Sequence, residues 1–206
     1  MNQLFKAPSP KAIVDLIKSY PLAWVLSIET GAFFATPLPL LADTDENGQL
    51  IRLVGHLALH NPHVSTLKKQ PKVHILFMGP QGYISPSWQD NPTWAPTWNY
   101  AVLKIEAELQ LRPDQNDAVL TRTVDLMESA HSGTWSIADM GERYTRLNQG
   151  IIAFHAKVTS ITDCFKMGQD ESPETMTQLL SQVDQSSLGK YMRDYYPENS
   201  SVDDKG

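Results

Sequence analysis

The chain lacks the features that mark secreted, membrane-spanning and nucleic-acid-binding proteins. It holds one cysteine, Cys164, in 206 residues, so an internal disulfide framework is excluded and a reducing, cytoplasmic location is expected. There is no run of about 18 apolar residues, so no membrane span is predicted, and the first residues lack the apolar stretch of a signal peptide. The net charge is −6 and no basic stripe is present, so direct binding to nucleic acid is not expected.

Several common catalytic signatures are also absent. The sequence contains no Gly-x-Gly-x-x-Gly and no Walker motif, which excludes the usual dinucleotide and P-loop sites. Without a Gly-x-Ser-x-Gly elbow, Ser85 and Ser87 do not indicate a serine hydrolase. His56, His60 and His63 lie close together in sequence. A predicted break between strand and helix separates them and no Glu follows His56, so no metal site is predicted.

Apolar periodicity predicts a mainly β fold with peripheral helices (α+β), built as an antiparallel barrel. The run LAWVLSI at 22–28 is continuously apolar and predicts a buried strand, whereas 101–111 alternates and predicts a half-buried strand. A single domain is expected over 1–196, followed by a flexible tail at 197–206. Further strands are predicted at 33–43, 49–57, 72–78 and 151–165, and helices at 10–20, 62–70, 114–129, 136–149 and from 173 onward.

Aromatic residues and histidines are concentrated in one window. Three of the five tryptophans and four of the six histidines lie between Gly55 and Trp98. Such side chains suit a flat, aromatic, phosphorylated ligand, because rings stack while polar groups supply hydrogen bonds. Asn99 lies between Trp98 and Tyr100 at the start of a long strand. Its amide would be costly to bury without a partner, which favours a contact with the polar edge of a ligand.

The same window carries a family resemblance. In order along the chain, its motifs are similar to those of the PaiB family of FMN-binding split-barrel proteins, from about residue 12 to residue 185. The resemblance implies a split β-barrel related to pyridoxamine-phosphate oxidase folds and a homodimer with FMN in a cleft between subunits. Members of this family are described as negative transcriptional regulators. The motifs are ATPLPLLAD (35–43), GHLALHNPH (55–63), YISPSW (83–88), PTWNY (96–100) and FKMGQD (165–170).

The resemblance also implies where FMN binds. Its phosphate is expected where the strand ending near His56 passes into the Asn61-Pro62 helix start, because free N–H groups there favour an anion. The ring is expected along ATPLP, with Lys166 and Gln169 supplied by the second subunit. The cofactor-binding residues implied in this way are Thr36, His56, His60, Asn61, Ser87, Trp98, Asn99, Lys166 and Gln169.

Three positions depart from the family pattern. Pro37 stands where the family commonly has His, and Leu59 stands where it commonly has Arg. Loss of that Arg removes a bidentate phosphate partner. Asp170 replaces a neutral amide with a negative charge. A weaker FMN site, a different ligand and an empty site therefore all stay open.

Three functions are compatible with these observations. The first is an FMN-dependent oxidoreductase of unknown substrate, for which no general acid or base can be assigned. The second is a PaiB-type transcriptional regulator that acts through a ligand or another protein, since no helix-turn-helix or basic helix is present. The third is a non-catalytic split barrel that binds haem or another planar molecule, with His56, His60, His63 or His155 as the axial ligand.

Overall fold

The computed structural model describes residues 3–29, 32–129, 131–133 and 135–196, so the predicted flexible tail at 197–206 lies outside the described residues. Four short 3₁₀ turns, at 3–5, 86–88, 113–115 and 137–140, accompany the main elements. In chain order these are α1 (Pro10–Ser19), β1 (Leu22–Glu29), β2 (Ala32–Pro39), β3 (Leu41–Thr44), β4 (Leu50–Ala58), α2 (His63–Lys69), β5 (Lys72–Ile84), β6 (Thr97–Leu111), α3 (Asn116–Glu128), α4 (Glu142–Gln149), β7 (Ile151–Lys166), α5 (Pro173–Val183) and α6 (Ser187–Tyr195).

Within the described ranges, seven strands form one antiparallel sheet in the order β2-β1-β5-β6-β7-β4-β3. Strands β2 and β3 lie at opposite edges of the sheet, yet only Leu40 separates them along the chain. The segment 32–44 therefore pairs with β1 at one edge and with β4 at the other. Because one continuous segment joins both edges, the sheet closes into a barrel.

Gly55 on β4 permits this closure. A Cβ at that position would lie 2.6 Å from Leu40 Cδ2 and 3.2 Å from the carbonyl oxygen of Pro39. No side chain fits in that space without displacing the segment that joins the two edges. The glycine is thus required for the close approach of β4 to the crossing segment.

Serine caps set the starts of three helices. The Ser9 hydroxyl accepts a hydrogen bond from the N–H of Ala12 at 3.2 Å, and Pro10 takes the first helical position of α1. The Ser172-Pro173 pair begins α5 in the same way, as the sequence predicts. Ser186 caps α6, so the C-terminal helical region contains two helices and not a single one.

The helix predicted from Ser136 begins later in the structure. Residues Ile137–Met140 form a 3₁₀ turn, and α4 starts only at Glu142. Gly141 between them has φ +54°, a conformation that interrupts a right-handed helix.

Helices close both ends of the barrel. At one end, which we call the α2 end, α2 packs against β1 and β2 and buries His63 between them. At the other, the α6 end, Gly82 on β5 makes room for Leu188 of α6, which lies 2.8 Å from where a Cβ would be. One apolar cluster joins the barrel interior to buried side chains of α1, α2, α5 and α6.

The burial expected for β1 is only half realised. Ala23 and Val25 point into the core and are 1% and 0% exposed. Leu22, Trp24 and Ile28 point outward and are 63%, 47% and 67% exposed. A strand that is apolar on both faces thus has one face uncovered in the single chain.

Candidate functional site

An exposed apolar surface covers the outside of β2, β1, β5 and β6, and we call it the apolar face. Trp24 lies opposite Leu76 across the β1–β5 pair, and Met78 lies opposite Val102 across the β5–β6 pair. Large exposed apolar patches mark sites of protein–protein contact or ligand binding. The outward side chains of the apolar face are Leu22, Trp24, Leu26, Ile28, Phe33, Leu76, Met78, Trp98, Tyr100 and Val102.

The apolar face contains a shallow depression of about 550 Å³, which we call the Trp98 pocket. The Trp98 ring is 51% exposed and meets the Tyr83 ring edge to face, with 6.3 Å between centroids. Offset and edge-to-face contacts of this kind fix a ring without covering its remaining face. The pocket therefore presents a half-open aromatic wall to a flat ligand. It is lined by Met78, Gln81, Trp98, Tyr100 and Val102.

Two polar groups border the Trp98 pocket. Lys166 at the end of β7 lies opposite Tyr100, and its Nζ donates a hydrogen bond to Thr97 Oγ1. Within the described ranges, no carboxylate pairs with Lys166, so its charge is uncompensated. The neighbouring Cys164 thiol, and then burial, raise the pKa of the Tyr100 phenol. The pocket thus combines one cation that has no carboxylate partner among the described residues with a phenol that stays protonated at neutral pH.

The tryptophan-rich loop between β5 and β6 is anchored by α5 and the segment preceding it. Trp94 Nε1 donates to Glu171 Oε2 at 2.9 Å, and Gln178 Nε2 donates to Asp90 Oδ2 at 2.6 Å. Ser87, a predicted cofactor contact, is exposed on this loop, and its hydroxyl lies 2.8 Å from that of Ser85. The loop is therefore held in place beside the Trp98 pocket.

Asn99 lies on the opposite face of the sheet from Trp98. Its side chain is 2% exposed, and its Nδ2 donates to Met192 Sδ of α6 at 3.6 Å. Asn99 Oδ1 is buried and has no hydrogen-bond partner among the described residues. Direct contact between Asn99 and a ligand on the apolar face would require α6 or the sheet to move.

Gln169 closes the turn that follows β7. Its Oε1 accepts the N–H of Met167 at 2.7 Å, and its Nε2 donates to the carbonyl of Phe165 at 2.5 Å. Both ends of the amide are thus engaged within the chain. Asp170 beside it is exposed.

The α2 end is organised around a buried histidine. His63 is 1% exposed, its Nε2 lies 2.6 Å from Ser27 Oγ, and its Nδ1 lies 2.9 Å from Thr36 Oγ1. The ring stacks on Phe34 with centroids 5.3 Å apart. Burial lowers the pKa of His63, so the ring is neutral at pH 7. Both of its nitrogens have partners, which removes His63 from the candidate axial ligands, and the Thr36 hydroxyl is committed to this contact.

The predicted anion cradle at the start of α2 is not free. Asn61 Oδ1 accepts the N–H of His63 at 2.9 Å, and the N–H groups of Val64 and Ser65 donate to the carbonyls of Asn61 and Pro62. The expectation of free N–H groups there was wrong, because the side chain and carbonyl of Asn61 and the carbonyl of Pro62 already accept from them. His60 in the preceding turn is exposed.

His56 lies apart from both groups. It shares its face of β4 with Arg52 and Val54, on the side covered by α3. Its Nδ1 is buried without a partner among the described residues, and burial lowers its pKa. His56 and His63 are therefore on different sides of the barrel wall. In the part of the chain that the structure describes, no three His, Cys, Asp or Glu side chains are grouped to hold a metal ion.

The predicted site residues thus fall into separate regions of one chain. Glu106 on β6 is level with the α2 end, and Trp98 lies further along the same strand. Eight residues separate Trp98 from Glu106, and at about 3.3 Å per residue the two regions are roughly 25 Å apart. The structure brings Trp98 and Lys166 together but leaves Thr36, His60 and Asn61 at the far end of the barrel.

Sequence reasoning missed Tyr100, Met78 and Gln81 as lining residues of the Trp98 pocket. The alternation along β6 carried a signal for part of this set. Outward positions from Lys104 onward are polar, whereas the outward Trp98, Tyr100 and Val102 are apolar or aromatic. A cluster of large apolar and aromatic side chains at the outward positions of one strand end indicates that this part of the outer face also makes contacts.

Comparisons with known proteins agree with this architecture. Residues 1–160 match the family model described as "Putative FMN-binding domain". The chain is 26% identical over 182 residues to the protease synthase and sporulation protein PAI 2 of Bacillus subtilis, covering 87% of this chain and 86% of that protein. No helix within the described ranges is long and apolar enough to cross a membrane.

Two solved structures share the fold. The FAD and heme binding protein from Mycobacterium smegmatis aligns with a TM-score of 0.55 at 14% identity, covering 78% of this chain and 72% of that one. The flavocytochrome Anf3 from Azotobacter vinelandii aligns with a TM-score of 0.52 at 14% identity, covering 78% and 67%. The mainly β split barrel of the pyridoxamine-phosphate-oxidase-like type is thus confirmed, and the chain belongs to the PaiB family of FMN-binding domains.

Proposed function

We propose that two copies of this chain join through the apolar face and bind FMN between them. The observation that carries the proposal is the Trp98 pocket, where an exposed aromatic wall lies beside the uncompensated charge of Lys166. Membership of an FMN-binding family supports a flavin as the ligand. The flavin-binding proteins that share the fold support it further.

The residues of the pocket fit the chemistry of FMN. The isoalloxazine ring is flat and aromatic, and Trp98 offers it a stacking surface. The Tyr100 hydroxyl bonds the Cys164 thiol in the single chain and would have to turn from it to donate to a ring heteroatom, whereas Lys166 can neutralise one phosphate charge. Asn99 supports this wall from inside, beneath α6. Among the described residues no arginine lines the pocket, and a single lysine predicts weaker phosphate binding than a bidentate site gives.

The second copy completes the site. The Trp98 pocket is open toward solvent, and the apolar side chains of β1 beside it are uncovered. The α2 end of one barrel lies too far from its own Trp98 to join it, but a partner packed on the apolar face can supply its own α2 end. In this arrangement Thr36, His60 and Asn61 approach the ligand from the partner. Thr36 and Asn61 then act by shaping the backbone, since their side chains are engaged.

The other predicted contacts are distributed around this seam. Ser87 lies on the anchored loop next to the pocket, and Gln169 holds the turn that follows Lys166. His56 lies on the face of β4 that α3 covers, away from the apolar face. These assignments stay predictions.

When bound, FMN supplies one- and two-electron transfer to this protein. The chain's own residues bind and orient the ring, and the apolar side chains of the seam exclude water from it. An oxidoreductase of this kind acts on a substrate small enough to enter the seam.

A comparison of FMN with riboflavin tests the site. Riboflavin lacks the phosphate, so the proposal expects Lys166→Met to weaken FMN binding about tenfold while leaving riboflavin binding unchanged. Lys18→Met, on the exposed surface of α1, is the matched control and should change neither affinity. Binding is measured by quenching of flavin fluorescence. An equal loss of affinity for both flavins would exclude a contact between Lys166 and the phosphate. If neither flavin binds, the proposed function is wrong.

The Bacillus relative's name supports a second proposal, a regulatory role exerted through the ligand or a partner protein. Under this proposal FMN changes the association of two copies, and the dimer is the regulatory form. Sedimentation with and without FMN tests it, since a mass that does not depend on FMN contradicts ligand-controlled association. A Soret band in purified protein would instead indicate haem, in line with the two structural relatives.

A further inference from the structure

A second depression lies on the outside of β4, β7 and β6. It lies at the part of β6 where the outward side chains are polar, from Lys104 onward. Its volume is about 370 Å³. It differs from the Trp98 pocket because cationic side chains from three separate segments converge on it. The residues that line it, which we call the Arg112 groove, are Ile51, Arg52, Glu108, Gln110, Arg112, His155 and Lys157.

Both arginines of the groove are held in position by carboxylates. Arg112 Nε and Nη2 donate to the two oxygens of Asp114 at 3.0 and 2.8 Å. Arg52 Nε and Nη2 lie 2.7 and 2.6 Å from Asp43 Oδ2. Each guanidinium keeps further N–H groups for another acceptor, because the group has five donors. The donors are therefore oriented before any ligand arrives, which reduces the entropy lost on binding.

His155 lies between these two arginines. It is next to Arg112 in space because the N–H of Arg112 donates to the carbonyl of Ala153 at 2.7 Å. Burial lowers the pKa of His155, and the charges of Arg52 and Arg112 lower it further. The imidazole makes no hydrogen bond to any described residue, so it is a neutral donor and acceptor that faces the groove.

The carboxylates around the groove do not cancel its charge. Asp43 is shared, because its Oδ1 lies 2.5 Å from Arg122 Nη1 while its Oδ2 binds Arg52. Glu108 lines the groove opposite Lys157, but neither forms an ion pair among the described residues. Three cations (Arg52, Arg112 and Lys157) and one carboxylate (Glu108) thus line the groove around a neutral histidine, in a chain with a net charge of −6.

We propose that the Arg112 groove binds a small oxyanion, a phosphate or carboxylate group, independently of the flavin. A forked guanidinium matches two oxygens of such a group. The two oriented guanidinium groups lie on either side of His155, and Lys157 adds a third cation beside Arg52. Ile51 supplies an apolar wall for the carbon skeleton that carries the anion.

The test follows the ring signals of His155 by NMR in the full chain. Inorganic phosphate and succinate are titrated separately, against sodium chloride at equal ionic strength, so the two arms distinguish phosphate from carboxylate. A bound anion should shift the His155 signals saturably and raise its pKa, because a negative charge favours the imidazolium. Arg112→Gln should weaken the binding about tenfold.

The control is Lys72→Gln, which removes an exposed cation from the same side of the sheet outside the groove. Its affinity for either anion should equal that of the wild type. Lys157→Gln, also exposed, gives the same information if Arg112→Gln does not fold. The proposal is overturned if neither anion saturates, or if the groove variants and Lys72→Gln bind equally well.

Discussion

Trp98 and Asn99 are consecutive on β6, yet they face opposite sides of the barrel wall. Trp98 is 51% exposed on the apolar face, whereas Asn99 is 2% exposed and contacts Met192 beneath α6. Alternation along a strand makes this separation unavoidable. Two neighbouring residues of one motif therefore have different roles. The Trp98 ring is available to a ligand, and the Asn99 amide contacts helix α6.

Trp98→Ala should weaken FMN binding while leaving the fold intact. Loss of the stacking surface is expected to lower the affinity roughly tenfold, or about 1.4 kcal/mol. The free energy of unfolding should change little, because half of the ring is exposed already. Trp135→Ala, which removes another half-exposed ring away from the apolar face, is the control. Fluorescence titration of both variants measures the effect, and equal affinities would exclude Trp98 from the site.

If two copies join through the apolar face as proposed, Trp24→Glu should keep the chain monomeric. The ring is 47% exposed at the centre of the apolar face, and a carboxylate there would be buried without a partner in the seam. Sedimentation should give half the mass of the wild type, with unchanged circular dichroism. Leu147→Glu on α4 places the same charge on another exposed leucine and should leave the dimer intact. A dimer that persists in Trp24→Glu contradicts the proposed seam.

Acidification should destabilise the protein below about pH 6.5. The pKa of His63 is lowered from its ordinary value of 6.5 by burial, so the unfolded chain binds a proton more readily than the folded one. Stability from this group is present above pH 6.5 and is lost as the pH falls toward the folded pKa. His56 and His155 act in the same direction, since their pKa values are also lowered.

Urea unfolding at several pH values measures this effect. The pH dependence should become shallower in His63→Gln, while His131→Gln, at an exposed histidine, should retain the wild-type slope. A His63→Gln slope equal to that of the wild type would show that other groups carry the effect.

Gly55→Ala should reduce the free energy of unfolding by about 1–3 kcal/mol. The added methyl would lie 2.6 Å from Leu40 and 3.2 Å from the Pro39 carbonyl, so the segment that closes the barrel must shift. At Gly150 an added Cβ is 3.4 Å from its nearest neighbour, and Gly150→Ala should change stability by less than about 0.5 kcal/mol. Thermal or urea unfolding compares the two, and equal stabilities would contradict the tight crossing at Gly55.

Local patterns were sufficient for most of the secondary structure. Ser9-Pro10 and Ser172-Pro173 begin helices as predicted, because caps and prolines act within a few residues. The alternation in 101–111 predicts its strand, although β6 extends back to Thr97. β2 is an edge strand, as its two prolines require.

Those local patterns do not predict contacts between residues that are distant in sequence. Nothing local to Thr36 or Asn61 shows that their polar groups serve His63 and its helix. The same is true of His56, which the barrel wall separates from His63. Each of these side chains has several possible partners in an unfolded chain, and only packing selects one.

The sequence by itself determined the strands, the caps and the family motifs, because these depend on periodicity and on residue types a few positions apart. Only the tertiary structure decided which side of the barrel wall each motif residue occupies. It also decided that one face of the apolar strand β1 is exposed to solvent. The reason is physical: closing the sheet through Leu40 fixes which faces are inside, and no local preference records that closure.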